Sequence, residues 1–344
     1  MPELPYVSVL VAARNEEAAI GDCLVALAAL NYPPHRFEVL IGNDSSTDQT
    51  AATVQDFIRD KSHFRLVDIV QADSSYAISQ RYGIATAAIN GKANVLAQLA
   101  QQAQGEFLFI TDADVRVPAT WLTGLLHEFG TKTGIVTGTT TVTGPGLWAR
   151  LQAIDWLLAF GLIHLGTKAG LPLTGSGNNM AVRREAYDSV GGFTGIPFSV
   201  VEDYTLFQAI VAKGYGFAHR LDADVLAQTL PTPSLGTYLQ QRKRWMKGAF
   251  SLPLPLLGGV IFQYLLVPLL VLVCLFSSKA ALFIYIAKWL AQTTLLIWTM
   301  QRTRQLHRWF DSLLFEPYQV ILGVISVLYY FLPFPIRWKG RTYS

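Results

Sequence analysis

The stretch ITDAD sets two carboxylates, Asp112 and Asp114, one residue apart at the end of an apolar run. In an extended strand, residues two apart project to the same side. Two acids held that way repel unless something positive lies between them. A hard divalent cation, Mg²⁺ or Mn²⁺, takes oxygen ligands and is commonly shared with substrate phosphates. The pattern gains meaning from a further acid at another strand end. IGNDSSTDQT supplies it in Asp44, a carboxylate that can accept hydrogen bonds from the N–H groups of a nucleobase. Ser46 or Thr47 beside it suits the N-cap of a following helix. ARNEE places Arg14 and Glu16 after the first strand, although Glu16 and Glu17 serve equally as first-turn acids favoured by the helix dipole. NGKAN puts Lys92 at a helix start, where the dipole disfavours a cation. A phosphate partner accounts for that lysine; a solvated side chain is the alternative.

A second group follows. TGSGNNMAVRREAYDSVGGFTGIPFSVVEDYTL carries the adjacent Asn178 and Asn179, then the isolated pair Glu202 and Asp203. Glycines there let the backbone approach a ligand, and the asparagines can hydrogen-bond hydroxyls or fix the loop. The acidic pair offers a general base, which must come within hydrogen-bond distance of the proton it removes. In QQRKRWMKG, Gln241, Arg244 and Trp245 share one helix face. An amide, a guanidinium and an indole gathered there can cap a diphosphate and stack on a sugar ring. Arg242 and Lys243 read as a juxtamembrane basic anchor.

These residues need a scaffold. VSVLVAA (7–13), FEVLIGND (37–44), FRLVDIV (64–70) and FLFITDAD (107–114) are short, apolar and rich in β-formers. Amphipathic stretches such as EEAAIGDCLVALAAL and KANVLAQLAQQA separate them. The pattern predicts an α/β fold, a mostly parallel sheet flanked by helices. Ligands of such sheets bind at the carboxyl ends of the strands, where the acids stand.

The last hundred residues differ in kind. The 344-residue chain is 51% apolar and 15% charged, against roughly 25% charge in an average soluble domain. Its net charge of +3 argues against nucleic acid as a partner. Residues 252–276 carry no charge, 280–300 carry only Lys288, and 315–335 are uncharged from 317 onward. Each is long enough for a membrane span of about 20 residues. The expected division is 1–250, a catalytic domain with interfacial helices, and 251–344, a multi-pass membrane domain. Residues 146–166, with Trp148 and Trp156, read as either a core helix or, favoured by their place before the asparagine loop, a helix in the headgroup plane. Lys288, with Gln292 one turn later, is either a functional intramembrane cation or a snorkelling side chain. Basic residues at 242–247 and 302–308 favour the cytoplasmic side, which leaves the basic tail Arg337, Lys339 and Arg341 at odds with three full crossings. Cys23 and Cys274 stand far apart in apolar settings, so no disulfide framework is expected. The N-terminus lacks the basic region and apolar core of a signal peptide.

Together, VAARNEE, NDSSTD, GKAN, TDAD, GSGNNMAVRREAY…GGF, VEDYTL and QRKRW occur in the order found in the family-2 inverting glycosyltransferases, which the sequence resembles over most of its length. The resemblance implies a GT-A nucleotide-sugar-binding domain followed by membrane helices. It implies that Asp44 binds the uracil side of a UDP-sugar, with Arg14 and Glu16 lining base and ribose. It gives Asp112 a ribose or diphosphate contact, Asp114 the metal, and Asp203, beside Glu202, the role of catalytic base. Gln241, Arg244 and Trp245 become the Q-x-x-R-W motif near diphosphate and acceptor. The tail RWKGRTY is similar to that of members that glycosylate membrane lipids. These features imply transfer of a sugar to a lipid at the cytoplasmic face of a membrane, in a bacterial cell membrane; a processive polysaccharide synthase shares the motif. Ala12 departs from the family's usual proline.

Overall fold

The computed structural model describes residues 4–70, 91–173, 176–249, 254–339 and 341–343. The chain forms two compact units, Met1–Thr140 with Thr167–Thr229 and Thr141–Gly166 with Leu230–Ser344. Residues 141–166 and 230–249 thus group with the apolar C-terminal helices, whereas the sequence suggested a boundary near 250.

The strands of the first unit are β1 (Val7–Ala13), β2 (Phe37–Asn43), β3 (Phe64–Asp68), β4 (Phe107–Asp112), β5 (Val115–Arg116), β6 (Thr133–Thr137), β7 (Thr140–Val142, which runs into the second unit), β8 (Asn179–Arg183), β9 (Gly216–His219) and β10 (Ala227–Thr229). Its helices are α1 (Ile20–Ala28), α2 (Thr50–Ile58), α3 (Gly91–Gln102) and α4 (Trp121–Leu126). The order of the seven-stranded sheet is β3-β2-β1-β4-β8-β6-β9. β1 pairs in parallel with β2 and β4, β2 with β3, and β6 with β9. Only β8 runs against its neighbours β4 and β6. The four strands expected from sequence are present, each ending within two residues of its expected limit.

Both faces of the sheet are covered, so its strands are apolar on both sides. Val7, Val9 and Val11 of β1 pack with Ile20, Leu24 and Leu27 of α1 and Trp121 of α4. Leu10, on the other side of the same strand, packs with Val95, Leu96 and Leu99 of α3. Three further helices follow Asp112 in the chain: α5 (Gly146–Lys168), α6 (Arg184–Ser189) and α7 (Gly192–Gly195). The last helix of the first unit, α8 (Glu202–Ala212), adds Leu206, Phe207 and Ile210 to this second layer.

The second unit contains most of α5 together with α9 (Leu235–Ala249), α10 (Leu254–Phe276), α11 (Ser278–Arg302) and α12 (Asp311–Phe331). It ends in a hairpin of β11 (Ile336–Trp338) and β12 (Arg341–Tyr343). Its core joins Ile154 and Leu157 of α5, Tyr238 of α9, Leu296 and Met300 of α11, and Phe315 and Leu322 of α12. α5 therefore buries one face against other helices while Leu147, Leu162 and Leu165 stay exposed. By length and composition α5, α11 and α12 each suffice to cross a membrane. α10 is an uncharged 23-residue helix. Leu252 and Pro253, the start of the first expected span, lie outside the described residues. Large apolar side chains such as Phe276, Phe283 and Phe331 stand exposed, as lipid-facing residues would.

Lys288 does not snorkel. Its ammonium donates to both carboxylate oxygens of Glu316 at 2.6 and 2.7 Å and to Gln319 Oε1 at 3.2 Å. Gln292 donates to Glu316 at 3.0 Å. Removing one partner of such a pair strands the other charge. Lys288→Met should therefore lower the thermal midpoint strongly, by the equivalent of about 3 kcal/mol. The double change Lys288→Met with Glu316→Gln should recover most of the loss, as read by thermal unfolding of the full chain in detergent.

Candidate functional site

The parallel register sets the geometry. Ala13 pairs with Asn43, and Ala12 with Asp112. The carboxyl ends of β1, β2 and β4 therefore lie side by side. β8 enters antiparallel, with Asn179 opposite Thr111. Its preceding loop, residues 176–178, is thereby brought to the same end of the sheet.

The loops after β1 and β2 are laced together. Asn15 and Ser45 both take positive φ, 52° and 53°. The Asn15 side chain accepts from Thr47 N–H at 2.9 Å, and its own N–H donates to the Ser46 hydroxyl at 3.2 Å. Glu16 N–H donates to the Thr50 hydroxyl at 2.7 Å. Arg14 donates to the Asp44 carbonyl at 3.1 Å and lies 3.7 Å from its carboxylate. Asp44 is buried. Two local expectations are corrected here. α1 begins at Ile20, so Glu16 and Glu17 precede it and its first-turn acid is Asp22. Neither Ser46 nor Thr47 caps α2: its N-cap is Gln49, and Asp48 just before it accepts from Thr50 N–H at 3.0 Å. Ser46 and Thr47 are used to bind the neighbouring loop instead.

Along 111–116 buried and partly exposed residues alternate, so Ala113 points inward while Asp112 and Asp114 face outward on one side. Asp114 accepts from the Thr229 hydroxyl at 3.4 Å. Beneath them Cys23 is fully buried, its thiol directed at the Asp112 carbonyl at 3.6 Å. Burial pushes the Cys23 thiol far up, and Asp114, Asp112 and Glu16 push it further.

Lys92 lies in the first turn of α3, and its side chain is only 10% exposed. Its ammonium hydrogen-bonds Asp112 and lies 3.8 Å from Glu202. Burial works to lower its pKa, yet Asp112, Glu202 and Asp203 outweigh burial and hold it above the ordinary lysine range. The partners of Lys92 in this structure are thus the carboxylates of Asp112 and Glu202. They solve the same dipole problem.

The acidic pair divides. Glu202 is buried and faces Lys92. Asp203 is partly exposed in the first turn of α8. Gly177 N–H donates to its Oδ2 at 2.7 Å, and Tyr204 N–H to its Oδ1 at 2.8 Å. A Cβ on Gly177 would sit 2.7 Å from the Asp203 carboxylate. That glycine therefore admits the acid, where the sequence suggested approach to a ligand. Thr174 and Gly175 lie outside the described residues.

Asn179 takes the second of the two roles open to it in sequence, fixing the chain around it. It is fully buried, accepting from Trp121 Nε1 at 2.8 Å and donating to the Thr139 and Val225 carbonyls at 2.8 and 2.9 Å. It pins four segments together and has no free face for a substrate. Asn178 fixes its loop, accepting from Ser176 at 2.8 Å and Thr140 at 3.1 Å.

Gln241, Arg244 and Trp245 belong to α9 in the second unit. Trp245 meets Trp156 edge-on, with centroids 5.7 Å apart. Arg242 pairs with Asp155, and Lys243 donates to the Leu332 carbonyl at 2.6 Å. Both cations are held inside the unit, which corrects their reading as a surface anchor.

Among the described residues no group of three or more His, Cys, Asp or Glu is placed to hold a metal on protein ligands alone. Two outward carboxylates one residue apart nevertheless fit a hard cation that completes its shell with phosphate oxygens and water. Sequence reasoning missed Thr229, Cys23 and the Asp155–Arg242 pair. Of these, only Asp155, the single acid in an otherwise apolar helix, left a sequence signal.

A sequence model described as glycosyl transferase family 21 matches residues 2–344. The beta-monoglucosyldiacylglycerol synthase of Synechocystis is 27% identical over 250 residues, 72% of this chain and 48% of that protein. The poly-beta-1,6-N-acetyl-D-glucosamine synthase of Staphylococcus aureus is 28% identical over 254 residues, 72% of this chain and 55% of that protein. The chain spans about half the length of these curated relatives. Among solved structures, a mannosyltransferase from Pyrobaculum calidifontis, in complex with GDP-Man and Mn²⁺, aligns with TM-score 0.56 at 18% identity, covering 93% of this chain and 88% of that one. That likeness supports the GT-A fold expected from the motifs.

Asn179→Ala, which orphans the Trp121 indole and two carbonyls, should destabilise the protein by about 3 kcal/mol, measured by denaturant unfolding. Lys92→Met should lower the thermal midpoint at pH 7. Because the folded lysine titrates above its unfolded value near pH 10.4, its contribution is complete below that pH and fades above it. The gap between wild type and variant should then narrow only at strongly alkaline pH.

Proposed function

The chain belongs to glycosyl transferase family 21, and on that footing we propose that it moves one sugar, with inversion, from a nucleotide-sugar donor, a UDP-sugar, to a membrane lipid at the cytoplasmic face. The observation that carries the reading is the Lys92 cluster, in which one buried ammonium binds Asp112 and approaches Glu202, with Asp203 adjacent in sequence and within its electrostatic reach. Diphosphate recognition and proton abstraction need such groups within one pocket.

In this reading Asp44, fixed by Arg14, receives the base, and Arg14 and Glu16 line base and ribose. Asp112 contacts ribose or diphosphate, and Lys92 turns from Asp112 toward the diphosphate when donor binds. Asp203 takes the proton from the acceptor hydroxyl, its orientation set by the N–H groups of Gly177 and Tyr204. The hydroxyl oxygen then attacks the anomeric carbon from the face opposite the leaving nucleoside diphosphate. Gln241, Arg244 and Trp245 serve the diphosphate and acceptor side. Asp114, with Asp112, would hold Mg²⁺ or Mn²⁺, which when bound supplies positive charge for the departing diphosphate. The lipid acceptor is supported by the apolar helices of the second unit and by the activity for which the Synechocystis relative is named.

The name of the Staphylococcus aureus relative favours a second reading, a processive synthase. Product size separates the two. Purified enzyme given labelled nucleotide sugars and membrane lipid should yield a lipid bearing a single sugar by mass spectrometry; a long polymer would reverse the choice. Asp203→Asn should lower kcat by about 10³ while donor affinity, measured calorimetrically, stays within about twofold. Full turnover in that variant would remove Asp203 from the chemistry. Chelation of divalent cations should abolish transfer, and Mn²⁺ or Mg²⁺ should restore it.

A further inference from the structure

We propose that Asp155 and Arg242 form a positioning pair that holds the Trp245 indole for the acceptor, an inference resting on the reading of Trp245 as an acceptor-side residue. Asp155 is the single acid of α5, a helix apolar enough to cross a membrane. An unpaired carboxylate there would be expensive to desolvate. It is paired: the Arg242 guanidinium hydrogen-bonds it, and the two side chains are only 17% and 19% exposed.

The guanidinium does more than neutralise. Its central carbon lies 4.8 Å from the ring centroid of Tyr238 and 4.8 Å from that of Trp245. Tyr238 is buried and meets the Trp148 ring edge-on at 5.4 Å, so one neighbour of Arg242 is itself fixed. Trp245 is then held from two directions. Arg242, anchored by Asp155, lies over its ring, and Trp156 meets it edge-on at 5.7 Å and 64°. Asp155 and Trp156 are adjacent in α5, so one turn of one helix supplies both supports. Only a planar, delocalised cation can serve a carboxylate and two rings together; an ammonium lacks the flat faces. The residue between Gln241 and Lys243 is thus a working part of the Q-x-x-R-W segment.

The test uses the full chain in nanodiscs with a labelled nucleotide sugar and a defined lipid acceptor. Arg242→Met should raise the acceptor KM about tenfold and leave the donor KM unchanged. Arg242→Lys, which keeps the charge opposite Asp155 but not the stacking, should fall between Met and wild type. Asp155→Asn should reproduce the acceptor-selective effect, and the double variant Asp155→Asn with Arg242→Met should be no worse than Arg242→Met alone. A second readout is independent of turnover. The coupled Trp156 and Trp245 indoles should give a circular-dichroism couplet, identified by its loss in Trp156→Phe and in Trp245→Phe, and Arg242→Met should diminish it. The proposal is overturned if Arg242→Met leaves the couplet and the acceptor KM intact, or raises donor and acceptor KM alike. If Trp245→Ala impairs the acceptor side while Arg242→Met does not, only the positioning pair fails. If Trp245→Ala leaves acceptor kinetics untouched, the underlying reading of Trp245 fails, and the pair with it.

Discussion

One buried ammonium sets the terms for the first unit. Asp112 ends β4, and Glu202 and Asp203 open α8, so three carboxylates from two distant segments converge on one buried ammonium. Without a cation they would repel. Lys92, one residue into α3 as described, supplies it. In the function proposed above, a donor diphosphate would offer the ammonium another anion and leave the Asp112 carboxylate to join Asp114 at a cation.

The second unit repeats the rule in apolar surroundings. Arg242, Lys243 and Lys288 each find an oxygen acceptor within the unit. None is a loose surface charge. The positive-inside argument from residues 242–247 is weakened accordingly, since two of its four cations are engaged in holding α9 to its neighbours.

What the sequence revealed and what it hid divide along one physical line. The strands 7–13, 37–43, 64–68 and 107–112 were legible because apolar β-formers in short runs are a local signal. The acids at strand ends were legible because strand ends are where such sheets expose side chains. Partners far away in the chain left no trace. Nothing in GSGNN tells that Asn179 binds Trp121, 58 residues back, or that Gly177 makes room for Asp203, 26 residues on. Both carry the fold of the site while looking like substrate contacts. Ser46 and Thr47 misled in the same way: good capping residues by type, they bind the adjacent loop, and the N-cap of α2 is Gln49.

The division between Glu202 and Asp203 follows from geometry that a sequence pattern does not contain. Consecutive residues on a helix point about 100° apart, so one faces inward and the next can face the pocket. Which does which is decided by β8. Because β8 runs antiparallel to β4, with Asn179 opposite Thr111, the loop before it returns to the end of the sheet where Asp112 stands. Gly177 in that loop donates to the Asp203 carboxylate, while Glu202 faces Lys92. A single reversed strand in a mostly parallel sheet thus gives the two adjacent acids different partners.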